Sequence, residues 1–145
     1  RAPLSPDMAA AHEGTVIPVD QVIGYARGAA MASAADVFFA EGAGGVIVPL
    51  DARRTIRDLI AALGWPVVLI GGTYLGSISH TLTALEALQR ISGAACIVLS
   101  ESATNPVPPN ETRAAIERFC GYVPVFSVAR GGDAPPALLD FLAAG

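Results

Sequence analysis

The sequence predicts an α/β domain built on a parallel sheet with helices on both faces. Three observations lead there. Short all-apolar runs alternate with helical segments: VFFA (Val37–Ala40), VVLIG (Val67–Gly71), ACIVLS (Ala95–Ser100) and VPVFSVA (Val123–Ala129). None of these runs shows the in–out alternation of a half-exposed strand, so each is expected to be covered on both sides. Only 15% of the 145 residues are charged, against about 25% in an ordinary soluble domain, which implies a large buried or interface surface.

The elements follow in order. Ser5 is expected to cap a short helix that has Pro6 at its first position, runs to about His12 and stops at Gly14. Asp20 is expected to cap a second, Ala-rich helix through about Ser33. The strand VFFA ends abruptly in EGAGG (Glu41–Gly45), and VIVPL follows as a short extended piece. Arg54–Leu63 reads as a helix with Ile56, Leu59, Ile60 and Leu63 on one face. Gly64 ends it, and Trp65-Pro66 leads into VVLIG. A helix from Ser77 to about Gln89 carries Ile78, Leu82, Leu85 and Leu88 at helical spacing. After ACIVLS comes ESATNPVPPN, a loop of turn formers. Asn110 is expected to cap the helix Glu111–Cys120; VPVFSVA is the last strand and Pro135–Ala144 the last helix. With no internal repeat and no dividing linker, residues 1–145 read as one domain.

Composition excludes some functions. The net charge of −4 and the lack of a basic cluster argue against nucleic-acid binding. No apolar run reaches the roughly 18 residues of a membrane span, and no signal-peptide pattern is visible. Cys96 and Cys120 are expected as free thiols in a reducing, cytoplasmic compartment. All nine basic residues are Arg. Chemistry that needs a lysine must take it from outside these residues.

Ligands of parallel α/β sheets bind beyond the carboxyl ends of the strands. Glu41 falls there, directly after VFFA. A carboxylate so placed can hold Mg²⁺ beside a nucleotide, since Mg²⁺ prefers hard oxygen ligands and phosphates. Gly42, Gly44 and Gly45 would let the backbone pass close to a ligand. The plainer alternative is a Gly-rich turn with a solvated Glu. The stretch GGTYLGSISHTL (Gly71–Leu82) resembles a phosphate-binding loop without its lysine. N–H groups at Gly76, Ser77, Ile78 and Ser79 are expected to face outward at the helix start, where the dipole favours anions. The hydroxyls of Ser77 and Ser79 would add donors. A triphosphate needs more charge compensation than this, so a single carboxylate fits better. The plainer alternative is that Ser77 merely caps the helix. Ser100 and Glu101, at the end of ACIVLS, could meet a base or a sugar. His12 and His80 lack partners at metal-ligand spacing and read as packing or capping residues. Ser5, Ser77 and Ser79 lie in no nucleophile elbow. Trp65 and Tyr74 read as core or interface residues.

With EGAGGVIVPL (Glu41–Leu50) and GTYLGSISHTLTALEAL (Gly72–Leu88) in view, the chain resembles the dethiobiotin synthetase family. Ser5-Pro6, VFFAEGAGGVIVPL, WPVVLIGGTYLGSISHTL and the ETRAAIERF helix occur in that family's order and spacing. The resemblance implies a P-loop NTPase-like three-layer fold with a mostly parallel sheet. It implies an ATP-dependent ligase that makes dethiobiotin from 7,8-diaminononanoate and CO₂, with Mg²⁺, in a homodimer. By resemblance Glu41 is the Mg²⁺ ligand, and Glu41, Gly42, Ala43 and Gly44 form the nucleotide-side loop. The helix start Gly76, Ser77, Ile78 and Ser79 would hold the carboxylate tail of diaminononanoate, offered from one subunit to its partner. Ser100-Glu101 stands where many relatives have Asn-Asp, and Ala129-Arg130 where they often have Pro-Trp. Glu101 and Arg130 are therefore expected on the base side of ATP, with Arg130 able to stack on it. The family's first strand, its lysine-bearing P-loop and a second lysine are expected upstream of Arg1. The 145 residues alone are thus expected to be marginally stable, with unpaired strand edges, and to turn over no ATP. Two alternatives stand beside this reading. One is a synthetase-like domain that keeps the carboxylate cleft without catalysis. The other is a P-loop ligase of the cobyrinic acid synthase type.

Overall fold

The computed structural model describes residues 4–91 and 95–144. The chain divides into two compact units, Arg1–Trp65 and Pro66–Gly145.

The first unit is built on helices. Helix α1 (Pro6–His12) has Pro6 in its first turn, where the missing N–H costs nothing. Ser5 occupies the cap position but makes no capping bond. Its hydroxyl donates instead to Asp7 Oδ1 at 2.5 Å. Gly14 follows at φ +70°. Helix α2 (Val19–Ala32) begins one residue before the expected cap. Asp20 therefore lies in the first turn, and its carboxylate pairs with Arg54 Nη1 at 2.8 Å. Helix α3 (Ile56–Leu63) starts two residues later than expected. Both backbone groups of Arg54 are already engaged in the preceding turn: its N–H donates to Asp51 Oδ1 and its carbonyl accepts from Leu50 N–H, each at 2.8 Å. Thr55 takes the cap position, and Asp58 Oδ2 accepts from both its N–H and its hydroxyl at 2.7 Å. Gly64, at φ +68°, closes the helix, as the sequence predicts. Arg27 Nη2 donates to Ala62 O at 2.6 Å and satisfies one of its last carbonyls. The core of this unit is Val19, Leu50 and Ile56, with Ile23, Val48, Leu59 and Ile60 packed around them. The helical spacing of Ile56, Leu59 and Ile60 is what brings them to one face.

VFFA is not a strand. Among the described residues nothing pairs with Val37–Ala40, and Phe39 is 67% exposed. An apolar run makes a strand only where a neighbour completes its hydrogen bonds. Phe38 instead meets Trp65 edge-to-face, with ring centroids 5.9 Å apart. VIVPL is held by an isolated antiparallel bridge, Pro49 to Thr55.

The second unit is the parallel sheet. Strands β1 (Val68–Gly71), β2 (Cys96–Ser100) and β3 (Val125–Val128) lie side by side in that order, all parallel. Val68 pairs with Cys96, Ile97 with Val125, and Ser100 with Val128. Helix α4 (Ser77–Gln89) spans the expected residues. Helix α5 (Pro109–Glu117) begins at Pro109, so Asn110 lies inside its first turn and does not cap it. Helix α6 (Pro136–Ala143) ends the unit. Strand β2 is buried at every residue from Cys96 to Leu99. On one face Cys96 and Val98 pack with Leu138 and Leu142 of α6. Ile97 and Leu99 point the other way by strand alternation. There α4 packs on β1 and on α5, and α5 on β3. The close approach of α4 needs Gly71: a Cβ there would lie 2.6 Å from Thr81 Oγ1 and 3.0 Å from Leu99 Cδ2.

Two outcomes follow. Ile97→Ala removes buried contacts at the centre of the sheet and is expected to cost about 2–5 kcal/mol in denaturant unfolding. Asp58 is held below the usual carboxylate range, first by the Thr55 hydroxyl and then by the Thr55 N–H. A carboxyl group with a depressed folded value adds stability above its unfolded value and loses it as pH falls through the folded one. Asp58→Asn is therefore expected to be less stable than the wild type at pH 7. The gap should close on acidification below about pH 4, read by denaturant midpoints across pH.

Candidate functional site

The three parallel strands end at Gly71, Ser100 and Val128, and the loops after them form one side of the second unit. The loop after β1 turns sharply into α4. Gly76 sits at the cap position with φ +93°, a conformation in which a side chain is strained. Gly72 is pressed against its neighbours: a Cβ there would lie 2.7 Å from the Tyr74 ring and 3.0 Å from Ser102 Oγ.

The first turn of α4 differs in two ways from the expectation. Ser77 N–H is not free, because it donates to Tyr74 O at 3.0 Å. Ser77 is also buried, only 1% exposed, and its hydroxyl has no partner among the described residues. It neither faces outward nor caps the helix; the helix packs that side of its first turn inward. Gly76, Ile78 and Ser79 are exposed, and no backbone acceptor among the described residues takes their N–H groups. Three open donors, together with the Ser79 hydroxyl, thus stand at the positive end of a 13-residue helix. His80 is engaged with Tyr74. Its Nδ1 is hydrogen-bonded to Tyr74 OH at 2.9 Å, and among the described residues no three His, Cys, Asp or Glu side chains cluster as a metal site. A hollow of about 420 Å³ opens beside this turn, lined by Tyr74, Leu75, Thr104, Asn105 and Pro106.

Strand β2 ends on Ser100, exposed, and the loop after it opens with Glu101, half-buried. Glu101 N–H donates to Val128 O at 2.9 Å, extending the ladder by one bond. Its carboxylate turns into the loops. Oε2 accepts from Arg130 N–H at 3.0 Å, and Oε1 from Asn105 Nδ2 at 3.3 Å. Asn105 Oδ1 accepts from the Thr73 hydroxyl. Thr73 Oγ1 accepts from Ser102 N–H at 2.9 Å, and Thr73 N–H donates to Ser102 Oγ at 3.0 Å. One polar network therefore joins the loops after all three strands. The structure brings Glu101 and Arg130 together, but through the Arg130 backbone; its side chain is exposed. Thr73, Ser102 and Asn105 were not legible as site residues, since the sequence marks them only as polar residues in turns.

Glu41, Gly42, Ala43 and Gly44 belong to the first unit. Glu41 is exposed and has no hydrogen-bond or ion-pair partner among the described residues. Gly44 has φ +83°, and a Cβ there would lie 2.8 Å from Val48 Cγ2, so the turn requires glycine. Cys96 and Cys120 are buried free thiols, both pushed up by burial, and neither is poised as a nucleophile. Among the described residues no helix is long and apolar enough to cross a membrane.

Comparison with known proteins agrees with this α/β organisation. A family model described as an AAA domain, a P-loop NTPase-like fold, matches residues 1–129. The chain is 44% identical over 139 residues to the ATP-dependent dethiobiotin synthetase BioD of Acidiphilium cryptum, covering 95% of this chain and 57% of the relative. It is 43% identical over 148 residues to the protein of the same name from Phenylobacterium zucineum, covering 99% and 63%. A third, from Methylobacterium nodulans, is 41% identical over 145 residues, covering 99% and 64%. The chain spans about three fifths of the length of these curated relatives. The chain belongs to the AAA-domain family whose model its residues 1–129 match, and along most of its length it is similar to ATP-dependent dethiobiotin synthetases.

Proposed function

We propose that this chain is part of an ATP-dependent dethiobiotin synthetase of biotin biosynthesis. The reaction joins CO₂ to 7,8-diaminononanoate as a cyclic urea, with ATP converted to ADP and phosphate. The observation that carries the reading is the start of α4: exposed N–H groups at Gly76, Ile78 and Ser79 after a Gly-rich turn, with no lysine beside them. Such a turn suits one carboxylate. The helix dipole and the N–H groups favour a single negative charge, each such interaction being worth about 0.3–1 kcal/mol when exposed. The Ser79 hydroxyl can donate a further bond. Ser77, being buried, contributes its place in the turn and no contact.

On the nucleotide side, Glu41, Gly42, Ala43 and Gly44 are the residues we assign to ATP and Mg²⁺. Glu41 fits a Mg²⁺ site, because it is exposed and unengaged among the described residues, and Mg²⁺ needs only one or two protein carboxylates beside phosphate and water. Bound there, Mg²⁺ would offset phosphate charge. Ser100, Glu101 and Arg130 are assigned to the base side. There Glu101 fixes the Arg130 backbone and leaves the guanidinium free to approach a ring. We read the two units as parts of one synthetase domain, acting in a cytoplasmic homodimer. These 145 residues contain no lysine, so the phosphate- and carbamate-handling lysines of the reaction would come from outside them.

In the full-length polypeptide, Ser79→Ala is expected to raise KM for 7,8-diaminononanoate about tenfold, with kcat little changed. An unchanged KM in steady-state kinetics removes Ser79 from the carboxylate site. Glu41→Ala is expected to lower ATP turnover on the order of a hundredfold, with the diaminononanoate affinity kept. The isolated 145 residues are expected to show no ATP turnover in a phosphate-release assay, and measurable turnover would overturn the assignment of the lysines.

A further inference from the structure

The hydrogen bonds around Thr73 do more than close three loops. Followed in order, they form a single path. Thr73 follows β1 and stands three residues before Gly76 at the cap of α4. Its hydroxyl donates to Asn105 Oδ1. The amide of Asn105 donates to Glu101 Oε1, and Glu101 Oε2 receives the Arg130 N–H. Ser102 doubles the first link by exchanging bonds with Thr73 in both directions. Thr73 is 2% exposed, so its polar atoms have no water to fall back on, and a missing partner there is costly.

We propose that Glu101 is a positioning residue that, with Asn105 and Thr73, locks the start of α4 to the Arg130 turn. The carboxylate site and the base-side loop then move as one body, and occupancy of one steadies the other. This use of the lock rests on the carboxylate and nucleotide reading above. The lock itself rests only on the bonds. Two features favour it over a set of separate turns. Glu101 lies just past the central strand, whose two neighbours carry the loops being joined. Each link also joins residues on different loops or across one loop, so no single loop can keep the path if another shifts.

The test is amide hydrogen exchange in the full-length polypeptide. Thr73→Val keeps shape and removes the hydroxyl. It is expected to speed exchange at Arg130 N–H about fivefold or more, although Thr73 has no hydrogen bond to Arg130. Exchange at Ile97–Leu99, on the central strand, should stay unchanged. Thr73→Ser restores the hydroxyl and should return Arg130 to the wild-type rate. Asn105→Ala cuts the same path at a half-buried loop position and should reproduce the effect even if Thr73→Val unfolds the chain. The proposal is overturned if Arg130 exchange does not change in either variant. It is equally overturned if all sheet amides speed up together, because the role is then only structural. Added 7,8-diaminononanoate separates the lock from the function assigned to it. It should slow exchange at Ile78 and Ser79, and with them at Arg130. Slowing at Ile78 and Ser79 alone overturns the coupling. No slowing at Ile78 or Ser79 overturns the carboxylate reading, while the variants still decide the lock.

Discussion

Strand β2 is the constraint on which the second unit depends. It is hydrogen-bonded on both sides and buried on both faces from Cys96 to Leu99. A strand so placed cannot slip by one residue without turning its apolar side chains to the wrong layer. Its register fixes where β1 and β3 end. That in turn fixes where the loops after Gly71, Ser100 and Val128 begin, and those loops carry Glu101 and Arg130 and lead into the start of α4. Packing and function are joined here by geometry, because the core sets the strand ends and the strand ends set the donors.

The start of α4 shows how finely this works. One side of its first turn packs inward and buries Ser77, whose hydroxyl has no partner among the described residues, a state that costs about 1–3 kcal/mol for a group taken from water. The other side leaves Gly76, Ile78 and Ser79 open. The close packing at Gly71 and Gly72 holds the turn in that orientation, since a side chain at either would strike Thr81 or Tyr74. A carboxylate ligand would meet donors already in place and would pay little to order them.

Much of this was legible in the sequence. The apolar runs VVLIG, ACIVLS and VPVFSVA each contain a parallel strand, shorter than the run by one to three residues, and α4 spans the residues its spacing predicts. VFFA has the same pattern as CIVLS but no partner, and it is not a strand. Apolar pattern reports a wish for burial, whereas strand formation also needs a neighbour's hydrogen bonds. The helix caps were less legible. Asp20 and Asn110 look like caps by type, yet Asp20 is drawn to Arg54, and the α5 start is set by the prolines before Asn110. The Thr73–Asn105 and Glu101–Arg130 links were hidden because they join residues 32 and 29 positions apart. No local period encodes such pairs. Which side of α4 Ser77 faces was hidden for the same reason, being decided by helix-on-sheet packing.

The central claim is that charge recognition at the start of α4 selects a carboxylate. The most direct measurement is calorimetric binding of 7,8-diaminononanoate and of its terminal amide to the full-length polypeptide. The two ligands share chain length and both amines and differ only in the charge at the tail. The account predicts that the amide binds about tenfold more weakly or worse, and that added salt narrows the difference. Equal affinity for the acid and the amide would contradict it.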